Sequence, residues 1–497
     1  MKCLFFLFMF STVAINSQEI KTPLERNNYD SLTSYEQMIS FLQEVAKTDK
    51  KVKMEFIAES AEGRKIPALK ISNTRFGKDK SKIRILIFAQ QHGNEQSGKE
   101  GALLLLKDII SGKPDDVLNS ADILLVPQMN PDGSERNERR NGNDADLNRN
   151  HLILTQPEVI GLHKLFNKYR PEATLDVHEY FPYTDDWIKF GYIKNFDEQF
   201  GATTDINVSG KIRQYSSKKF FPYVKKYLKD RGFSFNNYIL GGPPGESRIR
   251  HSTVDINDGR QSFGILNSFS FILEGLNGKD AFLDNIKHRA EGQKTAMEAF
   301  IRFAVKNKGI IRKMVKHERE KLVQSKEGEP VAIRMEHVKA DNSLKLRLKS
   351  VKTGKDTIIT AEEYHPVVKP VMTIKKPAGY LVPKDSVNLI KMLDDHGVFY
   401  EAYKKRPQDT FQKYYVERID SVFLEELMLP DAVVKTEISG EIDEDKYFYV
   451  PVNQLNSNVL VLGLEPQSMI GIIVYDEYKN WISEGKYYPV IRVVTTN

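Results

Sequence analysis

The chain has 497 residues, enough for two or three domains of ordinary size. Hydrophobic residues make up 40% of it, and 73 Lys and Arg residues against 67 Asp and Glu residues give a net charge of +6. Because this charge is small and both signs are mixed, the composition gives no case for nucleic acid or an anionic membrane as the partner.

The first residues have the pattern of a secretory signal peptide. Lys2 precedes a mainly apolar run from Cys3 to Ile15, and polar residues follow from Asn16. A basic start, an apolar stretch of about ten residues and a small residue before polar sequence are typical of exported proteins. We therefore predict a signal peptide over residues 1–17 and a secreted or periplasmic location.

Two expectations follow for the rest of the chain. Cys3 is the single cysteine and lies within the predicted leader, so no disulfide is expected once the leader is removed. No later segment reaches the roughly 18 consecutive apolar residues of a membrane-spanning helix, so we predict no transmembrane span.

Helices and apolar strands alternate through residues 18–309, which we predict to be one catalytic domain. Apolar strands that are separated by helices favour a mixed, mostly parallel sheet covered on both faces. The predicted helices are 34–49, 97–110, 157–169 and 284–305, and the predicted strands are 52–58, 66–71, 83–89, 123–126, 173–177 and 269–273.

The sequence changes character after Gly309. We predict a helical linker over residues 310–329 and a β-rich accessory region over residues 330–497, which has room for more than one small domain. Its histidines at positions 317, 337, 365 and 396 are scattered and form no catalytic pattern. The β-like runs are 331–335, 344–348, 356–360, 367–374, 446–452, 459–462 and 488–494.

Three metal-ligand side chains follow predicted strands of the first domain. His92 and Glu95 come directly after strand 83–89, and His178 ends strand 173–177. Sites in open α/β sheets collect at the carboxyl ends of the strands, and a catalytic Zn²⁺ ion takes three such ligands and keeps one position for water. The pattern predicts one zinc ion per catalytic domain, held by these three residues. Glu179 is the rival ligand, expected to point away from His178.

Other polar residues could complete a hydrolase site. Glu274 ends strand 269–273 and can serve as a general base, although a solvated carboxylate would look the same in sequence. In the polar loop between the ligands, Arg139 or Arg140 could polarise a scissile carbonyl, and Asn148 with Arg149 could hold a terminal carboxylate. Taken alone, such a loop is more often solvated surface.

Together these motifs resemble the zinc carboxypeptidase family typified by carboxypeptidases A and B. The resemblance covers roughly residues 30–306, and seven motifs occur in the order typical of the family. They are Ser60-x-Glu62-Gly63-Arg64, His92-x-x-Glu95, Asn130-Pro131-Asp132-Gly133, Asp146-Leu147-Asn148-Arg149-Asn150, Pro157-Glu158, His178 and Glu274.

The resemblance implies a role for each residue of the set. It implies His92, Glu95 and His178 as zinc ligands and Glu274 as the base. It also implies that Asn148 and Arg149 bind the carboxylate of the substrate, that Arg139 stabilises the oxyanion, with Arg140 as the alternative, and that Arg64 lines an outer subsite.

The sequence departs from the family in the region that closes over the substrate. The family usually has a tyrosine about twenty residues before the base, and no tyrosine lies between Tyr238 and Glu274. His251 and Arg260 lie in that region, with no role that the sequence assigns. No acidic residue clearly marks a pocket for basic side chains.

The sequence therefore predicts a secreted zinc metallocarboxypeptidase that hydrolyses C-terminal peptide bonds of peptides or proteins. The predicted mechanism is metal-assisted attack of water, with Glu274 as the base and Arg139 at the oxyanion. Three alternatives stay open: a zinc amidase acting on cell-wall peptides, a deacylase of small acylated amino acids, and a catalytically inactive peptide-binding protein. The sequence gives no oligomeric state.

Overall fold

A computed structural model describes residues 20–113, 117–424, 427–439 and 441–495. The predicted signal peptide, residues 1–17, lies outside these ranges. The α-helices are α1 (Pro23–Arg26), α2 (Tyr35–Thr48), α3 (Gln96–Ile110), α4 (Val117–Ser120), α5 (Pro131–Arg136), α6 (Pro157–Tyr169), α7 (Asp185–Phe190), α8 (Gly210–Tyr215), α9 (Phe221–Lys229), α10 (Gly259–Gly264), α11 (Ile286–Lys306), α12 (Lys308–Val323), α13 (Val387–His396) and α14 (Ser457–Leu464).

The strands run from the first domain into the C-terminal region. They are β1 (Val52–Glu59), β2 (Lys65–Ile71), β3 (Ile83–Ala89), β4 (Ala121–Val126), β5 (Ala173–Tyr180), β6 (Tyr192–Lys194), β7 (Glu198–Ala202), β8 (Phe235–Asn237), β9 (Leu240–Gly241), β10 (Ile249–Arg250), β11 (Phe269–Leu276), β12 (Pro330–Val338), β13 (Leu344–Ser350), β14 (Asp356–Ala361), β15 (Tyr364–His365), β16 (Val367–Lys375), β17 (Gly379–Pro383), β18 (Glu401–Ala402), β19 (Asp409–Leu424), β20 (Leu427–Ser439), β21 (Tyr447–Pro451) and β22 (Ile491–Thr495).

The central sheet has eight strands in the described part of the chain, in the order β1-β2-β4-β3-β5-β11-β7-β8. The pairs β4–β3, β3–β5, β5–β11 and β7–β8 are parallel, and the other three pairs are antiparallel. Strands β4 and β5 are buried along their whole length, as expected for a sheet covered on both faces. This is the mixed, mostly parallel sheet predicted from the sequence.

The register of the central strands determines where the polar residues meet. Ala89, the last residue of β3, pairs with Val177 of β5, and His178 pairs with Glu274 of β11. All three strands run in the same direction, so their carboxyl ends lie at one edge of the sheet. The chain leaves β3 there into the His92 turn, and α3 begins at Gln96.

The C-terminal region is β-rich, as predicted, and is joined to the first domain by shared sheets. Strand β13 pairs with β6, and β15 pairs with β10, so two small sheets contain strands from both parts. A further six-stranded sheet has the order β18-β21-β17-β22-β19-β20. Its core is continuous with that of the first domain, since residues of both belong to one buried cluster.

In the C-terminal region one predicted strand was wrong and one hairpin was missed. The run 459–462, predicted as a strand, lies inside helix α14, and every residue of that helix is buried. A four-residue apolar run has no readable period, so strand and buried helix look alike in sequence. The long hairpin of β19 and β20 was not predicted, because charged residues interrupt its alternation. Within the described residues, no helix has both the length and the apolar composition to cross a membrane.

Candidate active site

Two imidazoles and one carboxylate meet at the carboxyl edge of the central sheet. The Nδ1 atom of His92 lies 2.6 Å from Oε1 of Glu95, and the Nδ1 atom of His178 lies 2.8 Å from Oε2 of Glu95. The two Nδ1 atoms are 3.2 Å apart. All three side chains are buried, and among the described residues they form the one cluster of this kind.

The outer nitrogens of both rings face carboxylates. Nε2 of His92 lies 3.1 Å from Oδ1 of Asp146, and Nε2 of His178 lies 2.8 Å from Oδ1 of Asp176. When a metal ion is bound through the Nδ1 atoms, each Nε2 carries a proton and faces its neighbouring carboxylate. This arrangement fixes the ring orientation of metal-ligating histidines.

The cluster fits a zinc ion. Two Nδ1 atoms and a carboxylate converge on one buried point, and these are the donor types that zinc takes. In a tetrahedral site with bonds of about 2.0–2.1 Å, neighbouring ligand atoms are about 3.3 Å apart, close to the observed separation of the two nitrogens. Burial raises the pKa of Glu95, but the two imidazoles outweigh it and hold that pKa well below its usual range.

Glu274 stands next to this cluster. Its Cα pairs with that of His178 across the β11–β5 ladder, and the residue is only 7% exposed. Burial, helped by the charge of Glu95, raises the pKa of Glu274 to about 7, although both imidazoles oppose the shift. A carboxyl group with such a pKa can both accept and return a proton near neutral pH.

The structure also brings to the site a residue that the sequence reasoning missed. The phenol of Tyr238 interacts with the carboxyl group of Glu274, although Tyr238 lies much farther from the base in sequence than the spacing typical of the family. The intervening chain forms β9, β10 and α10, which lengthens the spacing. A tyrosine three residues before the loop Gly241-Gly242-Pro243-Pro244-Gly245 was the available signal.

The two candidate arginines of the polar loop point in different directions. Arg139 donates through Nη1 to Nδ1 of His92 over 3.2 Å and through Nη2 to Asp146 over 3.0 Å. Arg140 instead donates to the carbonyl of Asp144, and its side chain is 57% exposed. The geometry therefore brings Arg139, and not Arg140, to the metal-ligand cluster.

Asn148 and Arg149 lie on a short 3-10 turn, Leu147–Arg149. The side-chain oxygen of Asn148 accepts from the backbone N–H of Gly259 at 2.8 Å and from Gln91 at 3.1 Å. The charge of Arg149 lowers the pKa of Tyr238, against the larger opposite effect of burial. The C-terminal region reaches this turn, since the hydroxyl of Tyr475 lies 3.5 Å from the carbonyl of Arg149.

Arg64 and Glu179 lie outside the cluster. Nη1 of Arg64 is 2.7 Å from both Glu62 and Asp132, so this donor is already engaged. Glu179 points to the other side of β5, as expected, and pairs with Arg289 of α11 at 2.8 Å. The motif residue Asn130 has a structural role, because its side-chain amide donates hydrogen bonds to the backbone carbonyls of Gln91 and Arg139.

The chain is similar to proteins of known families. Residues 38–229 match the family model of zinc carboxypeptidases. Carboxypeptidase 2 of Trichophyton tonsurans is 24% identical over 455 residues, which cover 88% of this chain and 81% of the relative. Carboxypeptidase D of Drosophila melanogaster is 27% identical over 173 residues, which cover 32% of this chain and 12% of the relative.

Solved structures of carboxypeptidases are similar over the first domain. Carboxypeptidase A from Helicoverpa armigera has a TM-score of 0.44 and 18% identity, over 56% of this chain and 75% of its own. A metallo-carboxypeptidase from Burkholderia cenocepacia has a TM-score of 0.42 and 17% identity, over 54% of this chain and 68% of its own.

Proposed function

The chain belongs to the zinc carboxypeptidase family, and we propose that it is an exported enzyme that removes C-terminal residues from peptides, with Glu274 as the general base. The observation that carries this proposal is the convergence of four side chains at one sheet edge. His92, Glu95 and His178 present ligand atoms to a single point, and Glu274 occupies the neighbouring strand position.

The metal supplies the electrophilic part of the chemistry. Bound by His92, Glu95 and His178, Zn²⁺ would lower the pKa of a water molecule and polarise the scissile carbonyl. The protein supplies the acid–base part. Glu274 takes the proton of the attacking water and returns it to the leaving amine, and its raised pKa suits it to both steps.

Two further side chains act on the reacting groups. Arg139 lies beside His92 with its side chain 45% exposed, so its N–H donors can reach an oxyanion that forms at the metal edge. Tyr238, which interacts with Glu274, can donate a hydrogen bond to the substrate when the base turns to the water. Tyr238 would thus take the role of the tyrosine that closes over the substrate in the family.

Substrate binding rests on the turn beside the base. Asn148 and Arg149 would hold the C-terminal carboxylate, because a guanidinium with an adjacent amide is suited to a planar anion. Arg64 has a weaker case as an outer subsite, since its guanidinium is paired with Glu62 and Asp132.

The proposal of export rests on the pattern of residues 1–17 alone. N-terminal sequencing of protein recovered outside the producing cells tests it.

A peptide library read by mass spectrometry tests the proposed function. We expect zinc-loaded protein to release single residues from free C-termini and to leave C-terminally amidated copies of the same peptides intact. Internal cleavage, or equal cleavage of the amidated set, would contradict exopeptidase action. The Arg149→Gln variant should lose most of its preference for the free carboxylate, since this change removes the charge proposed to bind it.

A further inference from the structure

Arg260, at the start of α10, is a buried cation that is only partly satisfied. The residue is 1% exposed, and its Nη2 donates to Asp258 at 2.7 Å. Nε and Nη1 have no hydrogen-bond partner among the described residues. Asp258 cannot satisfy them, because it also accepts from the backbone of Gln261 at 2.6 Å and from Thr253 at 3.2 Å. Buried donors without partners are costly, so their presence in a folded protein calls for an explanation.

The unpartnered edge of Arg260 lies beside the proposed catalytic base. Gly201 of β7 pairs with Ile272 of β11, two residues before Glu274. A Cβ atom placed on Gly201 would lie 3.0 Å from Cδ1 of Tyr238 and 3.1 Å from Nη1 of Arg260. The same Cβ would lie 2.8 Å from Cγ2 of Ile272, so a glycine at this position allows the guanidinium to pack beside Tyr238, the tyrosine next to the base.

Two guanidinium groups act on the same phenol. Burial and the charge of Glu274 raise the pKa of Tyr238, and Arg260 and Arg149 both oppose that shift. Of the two, Arg260 also lies beside the ring of Tyr238, since both are within about 3 Å of the same point next to Gly201. Arg149 is already assigned to the α-carboxylate under the proposed function, which leaves the donors of Arg260 for the side chain.

We propose that Arg260 selects substrates whose C-terminal residue has an acidic side chain, glutamate or aspartate. The side-chain carboxylate accepts hydrogen bonds from Nε and Nη1 of Arg260, beside Tyr238. Guanidinium donors in a desolvated pocket recognise a carboxylate strongly and reject its neutral amide. This inference rests on the proposed function, since it names the substrate class of the same site.

Asp255, a carboxylate in the same area, supports the opposite substrate preference. Asp255 acts on Tyr475 together with Arg149, so a negative charge also lies in this area. If Asp255 governed the pocket, basic C-terminal residues would be preferred. Asp255, however, has an interaction partner within the protein, whereas Arg260 has buried donors without one. The observations therefore favour the acidic substrate.

The parent protein tests the proposal without any substitution. Zinc-loaded full-length protein is assayed with benzoylglycyl dipeptides that end in glutamate, glutamine, phenylalanine or arginine. Glutamine has the shape of glutamate without its charge, so this pair isolates the interaction with Arg260. We expect kcat/KM for the glutamate substrate to exceed that for glutamine by about 10- to 100-fold. Equal values, or a preference for phenylalanine or arginine, would overturn the proposal.

A binding measurement separates this proposal from the proposed function. The zinc-loaded Glu274→Gln protein is titrated calorimetrically with the same four dipeptides. Tighter binding of the glutamate form supports Arg260 as the selector even if no dipeptide is hydrolysed, a result that would contradict only the proposed function. Equal binding of glutamate and glutamine, or no binding of either, overturns the selector role.

Variants then assign the effect to Arg260. Arg260→Lys keeps the charge beside Asp258 and should retain part of the glutamate preference, whereas Arg260→Gln should remove it and improve the glutamine substrate relative to glutamate. Arg347→Gln is the control, because its exposed side chain pairs with Asp356 on the β13–β14 hairpin. An unchanged ratio in folded, zinc-loaded Arg260→Gln would contradict the assignment.

Discussion

The hydroxyl of Tyr364 lies 2.6 Å from Nε2 of His251, and Nδ1 of the same ring lies 3.0 Å from the carbonyl of Tyr238. The Nδ1–H group therefore donates to the carbonyl, and Nε2 accepts from the phenol. Since Tyr364 belongs to β15, the C-terminal region contacts, through one imidazole, the backbone of the tyrosine that touches Glu274.

Tyr364→Phe tests this connection. The change removes one hydrogen-bond donor and leaves the ring, so we expect kcat/KM to fall by about fivefold, the equivalent of a ~1 kcal/mol hydrogen bond. Zinc content should stay at the parent value, because β15 carries none of the proposed metal ligands. Tyr400→Phe is the control, as its exposed hydroxyl bonds only to Asp394. Equal losses in both variants would show that the His251 contact has no special role.

Asp176 should tighten zinc binding without touching the metal. It contacts Nε2 of His178 at 2.8 Å, and its charge raises the pKa of His178 against the opposing effect of burial. Replacing Asp176 with Asn should weaken zinc affinity by about 10- to 100-fold, measured by competition with a chelator. The exposed Asp144→Asn variant should keep the parent affinity, and similar affinities for both variants would argue against the orienting role.

Arg139 and Arg140 form a matched pair for the oxyanion role. Arg139→Ala should lower kcat by about 10²- to 10³-fold, because it removes a donor beside the metal edge. Arg140→Ala should change kcat by less than about threefold, since that side chain contacts the Asp144 carbonyl on the surface. Comparable losses in the two variants would remove the basis for assigning the oxyanion to Arg139.

The raised pKa of Glu158 should make the stability of the folded protein depend on pH. Burial raises the pKa of Glu158 to about 7, against the hydrogen bond from Asn141 at 3.2 Å. Between about pH 4.5 and 7 the folded state therefore holds more protons at this site than the unfolded state, so stability falls as the pH rises. The penalty is complete above pH 7 and is about 3 kcal/mol at most.

Glu158→Gln removes this titration. We expect the calorimetric unfolding midpoint of the variant to rise relative to the parent between pH 5 and pH 8, with both proteins saturated with zinc. Glu417→Gln changes an exposed glutamate on β19 and should show no such trend. A parallel pH course for Glu158→Gln and the parent would mean that Glu158 titrates normally in the folded protein.

Local patterns account for much of what the sequence predicted correctly. Strand β3 is almost continuously apolar, as expected for a strand buried on both faces, and His92-x-x-Glu95 follows it within six residues. The proposed ligands and base could be predicted because each lies near the carboxyl end of a strand, and parallel strands end at the same edge of the sheet.

The missed features depend on contacts distant in sequence. Tyr238 reaches Glu274 across a loop whose length breaks the expected spacing, and Tyr364 reaches the site through pairing of β15 with β10. The burial and missing partners of Arg260 emerge only when α10 packs beside β7 and β11. Val459–Leu462 was misassigned because a buried helix of eight residues has no polar face to reveal its period.

The most direct test of the account compares metal content and turnover in Glu274→Gln. We predict that the variant binds one zinc ion with parent affinity and that its kcat on a C-terminally free peptide falls by at least about 10³-fold, because the proton acceptor is gone while the three ligands remain. A variant that binds zinc and hydrolyses the peptide at the parent rate would contradict the assignment of Glu274 as the base.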